Sequence, residues 1–208
     1  MNKYLDKQTQ DYYQTNAQII AREYAEAPAG VDAWFRSAFP EGGRLLDVGA
    51  AAGRDVLLLM KAGYEAFGVD PCRELVEYGL NASPELAGRL WCDALPELET
   101  VQNDNFDGVL CSAVLMHLSR RGLADAAAGV RRVLKTGGGL LVSLPITPGG
   151  LPVLGRDAKG RLFNGLSPRE ADDLFSAYGF IKALQEKSAD ALGRQNRKWT
   201  VLVYQLKG

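Results

Sequence analysis

Gly49 and Gly53 punctuate the segment Leu45-Leu46-Asp47-Val48-Gly49-Ala50-Ala51-Ala52-Gly53-Arg54-Asp55, an apolar run that ends in small residues and leads into a helical pattern. Small residues at such a turn let a ligand approach the backbone. The helix N-terminus beyond it offers free N–H donors and a positive dipole, so it can hold a carboxylate or a phosphate. The same glycine spacing also serves tight helix–sheet packing, and alone it decides nothing. The next apolar run ends Phe67-Gly68-Val69-Asp70-Pro71, with Asp70 standing 21 residues beyond Gly49. Nucleotide-binding sheets present a carboxylate to ribose hydroxyls at about that distance. Asp70 also suits the cap of a helix opening at Pro71, and one side chain can fill both roles. A third run closes on Cys92-Asp93-Ala94-Leu95, and a fourth, Phe106 to Cys111, continues into Ser112-Ala113-Val114-Leu115-Met116-His117. Four successive runs thus deliver small or polar residues to one edge.

Other chemistry is sparse. His117 is the only histidine, which excludes a histidine-rich metal site. Cys72, Cys92 and Cys111 are odd in number and lack a CxxC spacing, which argues against both a disulfide framework and a thiolate zinc site. The cysteines are expected to be reduced, and no metal is expected. Arg131, Arg132 and Lys135 close a helix and are explained by its dipole. Arg194, Arg197 and Lys198 stand beside Trp199, a combination that can stack a base, but the cluster is too small to carry that reading.

The elements that must position these residues follow from the punctuation. Residues 5 to 26 read as a polar helix with Tyr13, Ala17, Ile20 and Tyr24 at helical spacing, and Val31 to Phe39 as a second helix before Pro40. Strand-like runs then alternate with helical ones: Arg44 to Val48 and Asp55 to Lys61, Glu65 to Val69 and Arg73 to Leu80. The alternation continues through Arg89 to Cys92, Phe106 to Cys111, a helix from Gly122 to Lys135, and Gly139 to Leu144 after a glycine stop. Such a rhythm predicts a parallel sheet covered by helices. Past a Gly/Pro-rich stretch to Gly165, Ser167 predicts a helix cap with Pro168 at the first position and Glu170 at the third. Two last strands, Phe180 to Lys187 and Lys198 to Gln205, can pair antiparallel at the sheet edge.

Composition sets the outer bounds. The chain has 208 residues with 24 Lys plus Arg against 25 Asp plus Glu, a formal net charge of -1. That length suits roughly one domain with an appendage. The charge balance supplies no basic footprint for a duplex, so nucleic acid is disfavoured as a partner. The opening MNKYLDKQTQDYYQ lacks the pattern of a signal peptide, and no apolar run approaches the ~18 residues of a membrane span. A cytoplasmic location is therefore expected, with no membrane partner.

The ordered set of acid-ended strands resembles the class I S-adenosylmethionine-dependent methyltransferases over about Arg44 to Leu144. The resemblance implies a Rossmann-like α/β fold: a seven-stranded, mostly parallel sheet with an antiparallel last strand and helices on both faces. It implies an N-terminal helical lid over residues 1–40 and a single methyltransferase domain over 41–208. S-adenosylmethionine is the implied cofactor and S-adenosylhomocysteine the product. The first turn would hold the methionine part through Asp47, Gly49, Ala50, Ala51, Gly53, Arg54 and Asp55. Asp70 would bind the ribose, Pro71 and Cys72 would flank the adenine, and Asp93, Ala94 and Leu95 would meet the adenine amino group. Cys111 to Met116 would line the sulfonium side. The family often carries a glycine where Ala51 stands, so a slightly tighter turn is expected here. The set Gly53-Arg54-Asp55, the run Ser112 to Leu118, Gly160 to Phe163 and Leu192-Gly193-Arg194 followed by Trp199 is more narrowly similar to a bacterial subgroup of small methyltransferases.

A nicotinamide dehydrogenase would share the sheet but needs glycine at positions 51 and 54, where Ala51 and Arg54 stand. With no basic face and no RNA-binding appendage in the sequence, a small-molecule acceptor is expected. His117, just after the fourth strand, is the candidate general base, and the alternative is that it only ties down a turn. Tyr13 is the lid residue expected to reach inward toward substrate, its alternative being packing with a wet hydroxyl. Arg156, Lys159 and Arg161 lie in a glycine-rich stretch that reads first as a solvated loop, with Arg161 the candidate to grip an anionic acceptor if it borders the acceptor site. An RNA or protein methyltransferase, or a regulator that binds the cofactor without turnover, are the other readings. The oligomeric state is not specified by these residues.

Overall fold

Period-two alternation in the central strands sends neighbouring side chains to opposite faces, and both faces are apolar, which forces helices onto both sides. The computed structural model describes residues 6–28, 30–150, 152–194 and 197–208. The expected helix start at residue 5 and the loop positions 195 and 196 lie outside the described residues. The chain begins with α1 (Lys7–Thr15) and α2 (Ala17–Glu26), then a single 3-10 turn and the short α3 (Phe35–Ala38). Next come β1 (Arg44–Val48), α4 (Arg54–Lys61), β2 (Glu65–Asp70), α5 (Arg73–Ala82), β3 (Leu90–Cys92) and β4 (Phe106–Ser112). Then follow α6 (Leu123–Val133), β5 (Leu134–Ile146), β6 (Leu154–Arg156), β7 (Leu162–Asn164), α7 (Pro168–Ala177), β8 (Phe180–Ala189) and β9 (Lys198–Leu206).

Seven strands form one sheet in the order β3-β2-β1-β4-β5-β9-β8. Strands β1 to β5 pair in parallel, while β9 lies antiparallel between β5 and β8. The expected mostly parallel sheet with a reversed last strand is what the structure has. On one face Leu46, Val109, Leu140, Val142, Leu202 and Tyr204 pack against α6 and α7 through Ala126, Val130, Ala171 and Phe175. On the other, Leu45, Leu110, Leu141, Val201 and Val203 meet Phe35, Phe39, Val56 and Leu59. The order reverses direction between β1 and β4, and open α/β sheets bind ligands at such a point, beyond the carboxyl ends of the strands.

Three departures from the sequence reading matter for the site. The single helix expected over 5–26 is two helices, because the Asn16 backbone leaves the helical region and its side-chain amide donates to the Tyr12 carbonyl. The Gly/Pro-rich stretch contains a two-stranded hairpin of its own, β6 with β7. Strand β5 begins at Leu134 rather than after the glycine stop, and α6 ends at Val133 rather than Lys135. The capping box at Ser167 is formed as expected, with Pro168 in the first turn and the Glu170 carboxylate accepting from the Ser167 N–H.

Candidate functional site

The turn after β1 is built from backbone conformations that only small residues occupy easily. Gly49 has φ +77°, and a Cβ there would sit 2.4 Å from a methyl of Val114. Ala51 takes φ +50° with a side chain, so the position that often holds a third glycine is left-handed here too. That geometry aims the Ala51 N–H at the Asp70 carboxylate, 2.8 Å away. The Cys72 N–H donates to its other oxygen at 2.8 Å, so Asp70 ties the β1 turn to the start of α5. Burial raises Asp70 to about 6, with the two amide bonds working in the opposite direction. Each oxygen keeps a lone pair for a further donor, which suits ribose hydroxyls.

Asp47 is 2% exposed, and no described residue donates a hydrogen bond to its carboxyl. Burial raises its pKa well above the carboxylate range; Asp55 and Asp70 push it further and Arg54 opposes them. Arg54 holds Asp55 in a two-point ion pair at 2.8 and 3.1 Å and reaches toward the Tyr24 carbonyl of α2. A buried carboxyl without a donor, beside a charge-balanced pair, fits a ligand that brings an ammonium group. This is the chemistry of the methionine end of S-adenosylmethionine.

All of this faces one cavity of about 1280 Å³, which runs under α1 and α2 from the β3 end to the β6–β7 hairpin. Single-ligand pockets are ~300–1,000 Å³, so there is room for two. Asp47, Gly49, Ala50, Ala51, Arg54 and Asp55 line it at the first turn. Asp70, Pro71, Cys72, Asp93 and Ala94 line it beside that turn, toward β3, and Met116, His117, Tyr13 and Arg161 line the hairpin side. Gly53, Leu95 and Cys111 are off its wall. Gly53 packs on Leu86, and Leu95 and Cys111 lie in the sheet core at 2% and 0% exposure. Ser112, Ala113 and Val114 stand where Cys111 was expected, because the strand alternation turns Cys111 inward.

Asp93 is partly spent. Its carboxylate accepts from the N–H groups of Ala94, Glu99 and Thr100 and from the Thr100 hydroxyl, clasping its own loop. Arg161 is spent as well: Nε and Nη2 pair with Asp157 at 2.9 and 2.7 Å, and Nη1 donates to the Tyr13 hydroxyl at 3.3 Å. Its charge is therefore already matched, contrary to a free arginine awaiting an anion.

Tyr13 and His117 meet in the cavity wall, hydroxyl to Nε2 at 3.3 Å. His117 Nδ1 lies 2.6 Å from the Leu162 carbonyl, which can only accept, so Nδ1 carries the proton and Nε2 presents a lone pair. Burial brings His117 down to about 4; the Leu162 carbonyl opposes this, and Arg161 adds to it. The imidazole is neutral at pH 7. Burial raises the Tyr13 hydroxyl, keeping it protonated.

Sequence reasoning missed Ser143 and left Arg197 undecided. Ser143 interrupts the apolar stretch of β5, accepts from the Ala113 N–H at 2.9 Å and lines the cavity; a lone polar residue in an apolar strand was its available signal. Arg194, Arg197 and Trp199, considered for base stacking, line the same cavity, whereas Lys198 does not. No group of His, Cys, Asp and Glu among the described residues could hold a metal. No described helix is long and apolar enough to cross a membrane.

Residues 46–142 match the family model described as "Methyltransferase domain". No curated protein matches the sequence significantly. Among solved structures the chain is similar to the Burkholderia thailandensis 1,6-didemethyltoxoflavin-N1-methyltransferase with bound 1,6-didemethyltoxoflavin and S-adenosylhomocysteine. That match has a TM-score of 0.76 and 19% identity, covering 95% of this chain and 85% of that one. It is also similar to a Methanosarcina mazei SAM-dependent methyltransferase (TM-score 0.67, 19% identity, 83% and 96% covered). A third similar structure, the [4+2]-cyclase SpnF, has a TM-score of 0.74 at 15% identity, with 98% of each chain covered. At these identities the structures establish the shared fold, and the cyclase illustrates that the fold alone does not dictate the reaction. Residues 46–142 are thus a methyltransferase domain, and the sheet order β3-β2-β1-β4-β5-β9-β8 is the Rossmann-like fold of the class I methyltransferases.

Proposed function

We propose that this protein transfers the methyl group of S-adenosylmethionine to a small-molecule acceptor held between Tyr13, His117 and the β6–β7 hairpin. The observation that carries the acceptor class is the roof of the cavity. Helix α1 lies over the acceptor end and is tied to the hairpin by the Asp6–Arg156 pair and the Thr9–Leu162 bond, which narrows the way in for a polymer. The RNA reading draws on Arg194 and Trp199, but both already bond Asp190. The two N-terminal helices act as the lid of the domain spanning 41–208.

Asp47, the β1 turn and Arg54 would hold the amino-acid end of the donor, Asp70 its ribose, and the backbone at Asp93–Ala94 the adenine side. When bound, the donor supplies an electrophilic methyl group on a sulfonium. The protein's main task is then alignment of the acceptor with that methyl, which can account for up to ~7–11 kcal/mol of barrier. The lid excludes water. The acceptor's hydrogen displaces the Tyr13 hydroxyl from His117 Nε2, whose lone pair, fixed by the Leu162 carbonyl on Nδ1–H, then takes the acceptor's proton, while Arg161 holds Tyr13 at the edge of the site.

The test is formation of S-adenosylhomocysteine over a panel of small hydroxyl, amine and thiol acceptors, with RNA and protein alongside. Turnover with a small acceptor is expected. His117→Asn should then lower kcat by about 10²-fold or more while leaving S-adenosylhomocysteine affinity within about twofold. Tyr13→Phe should retain part of the rate. Turnover on RNA alone would overturn the acceptor class, and unchanged kcat in His117→Asn would remove the base.

A further inference from the structure

Three arginines border the acceptor end of the cavity, and only two have carboxylate partners. Arg161 is paired with Asp157, which accepts four hydrogen bonds: from the N–H groups of Lys159 and Arg161 and from Nε and Nη2 of Arg161. Arg194 is paired with Asp190, which likewise accepts four, three from Arg194 and one from Trp199 Nε1 at 2.8 Å. Both carboxylates are saturated. Arg197 lines the same cavity, and among the described residues no side chain hydrogen-bonds or ion-pairs its guanidinium. What it has is a ring: its guanidinium carbon lies 4.7 Å from the centroid of Phe163.

Phe163 is 1% exposed and makes an edge contact with His117 at 5.1 Å between centroids. The unpaired cation is thus braced on the same ring as the imidazole proposed to take the acceptor's proton. We propose that Arg197, stacked on Phe163, is the anion subsite of the acceptor pocket, so that the methyl acceptor carries a carboxylate or a phosphate group. The inference rests on the reading that the Asp47–Asp70 end of the cavity takes the donor, which leaves this end to the acceptor.

Electrostatics agree with the geometry. Burial lowers the Arg197 pKa and repulsion from Arg194 and Arg161 lowers it further, outweighing the opposing attraction of Asp157 and Asp190, so its charged form is under-compensated. A half-buried guanidinium gains strong, directional bonds when an oxyanion arrives. A stacked planar fork is also held ready for such a group at little further cost in side-chain order. Discrimination follows: a neutral analogue of the acceptor would leave the charge unmatched.

The experiment uses the full chain saturated with S-adenosylhomocysteine, so that the donor end cannot take up the probe. Inorganic phosphate and, separately, acetate are titrated at constant ionic strength in chloride. The readout is the ring signal of the single histidine by NMR, since His117 touches Phe163. Wild type and a control, Arg131→Gln on the exposed face of α6, should show a saturable shift. In Arg197→Gln the midpoint should move at least tenfold to higher anion concentration. A stronger response to phosphate or to acetate identifies which oxyanion the acceptor carries. Equal midpoints in wild type and Arg197→Gln, or no saturation in any protein, would overturn the subsite. S-adenosylhomocysteine binding is measured first by calorimetry on the same samples: its absence would overturn the donor reading, whatever the anion curves show.

Discussion

Asp70 illustrates how one carboxylate can serve both fold and ligand. It bonds two backbone amides that hold the β1 turn against α5, yet burial keeps it near 6 rather than at the usual carboxylate value. The sign of the linkage follows. Because the folded pKa lies above the unfolded one, ionisation costs the empty fold stability as pH rises through about 6, and protonation restores it below. Donor binding runs the other way, since ribose hydroxyls bond best to the ionised form. Affinity for S-adenosylhomocysteine should be about tenfold weaker at pH 5 than at pH 7, tracking the ionised fraction. Asp70→Asn should flatten that profile and weaken binding at pH 7; calorimetry at both pH values would detect either result. Asp70 could be placed at the sheet edge from its position at the end of a strand-like run 21 residues beyond Gly49, whereas Asp47 was singled out only by the resemblance. The pairing of Arg161 with Asp157 was not legible in the sequence, since it depends on how a glycine-rich turn folds back.

At the scale of elements, the lid is held by the hairpin as much as by the domain beneath it. The N-cap Asp6 of α1 pairs with Arg156 of β6, and the buried Thr9 hydroxyl accepts from the Leu162 N–H of β7 at 2.8 Å. Helix α2 closes the other side by packing Ala17, Ile20 and Ala21 on Cys72 and Leu75. Thr9→Val keeps the shape but removes two hydrogen bonds, the one accepted from Leu162 and the one donated to Asp6, a loss of about 1–3 kcal/mol concentrated in lid closure. The expected outcome is faster amide exchange in α1 and a raised KM for the acceptor, with global unfolding little changed; unaltered exchange in α1 would show that Thr9 does not hold the lid. The hairpin escaped the sequence reading because all three residues of β6 are exposed, so no alternation betrays it. The break at Asn16 was hidden for a similar reason: polar residues continue across it. By contrast, β1 and the Ser167 cap were readable from local residues alone, the one from its apolar run and the other from Ser, Pro and Glu in order.

Across the whole molecule, a cavity of about 1280 Å³ is bounded by the sheet edge, the lid and the hairpin, so a ligand there bridges all three. Binding should therefore register as global stabilisation. S-adenosylhomocysteine at a hundred times its Kd should add about 2.7 kcal/mol, which for a chain of this size raises Tm by roughly 5–10 °C. NAD at the same concentration should leave Tm unchanged, and a scanning calorimeter distinguishes the two. The order β3-β2-β1-β4-β5-β9-β8 has a consequence in time as well as in space. Strand β9 follows every other strand in the sequence but lies inside the sheet, and Arg197 immediately precedes it. During synthesis the donor-binding turn and its acids emerge early, whereas β8 has no neighbour and the acceptor end has no Arg197 until β9 slots in beside β5. A nascent chain could hold the methyl donor well before it could select what to methylate.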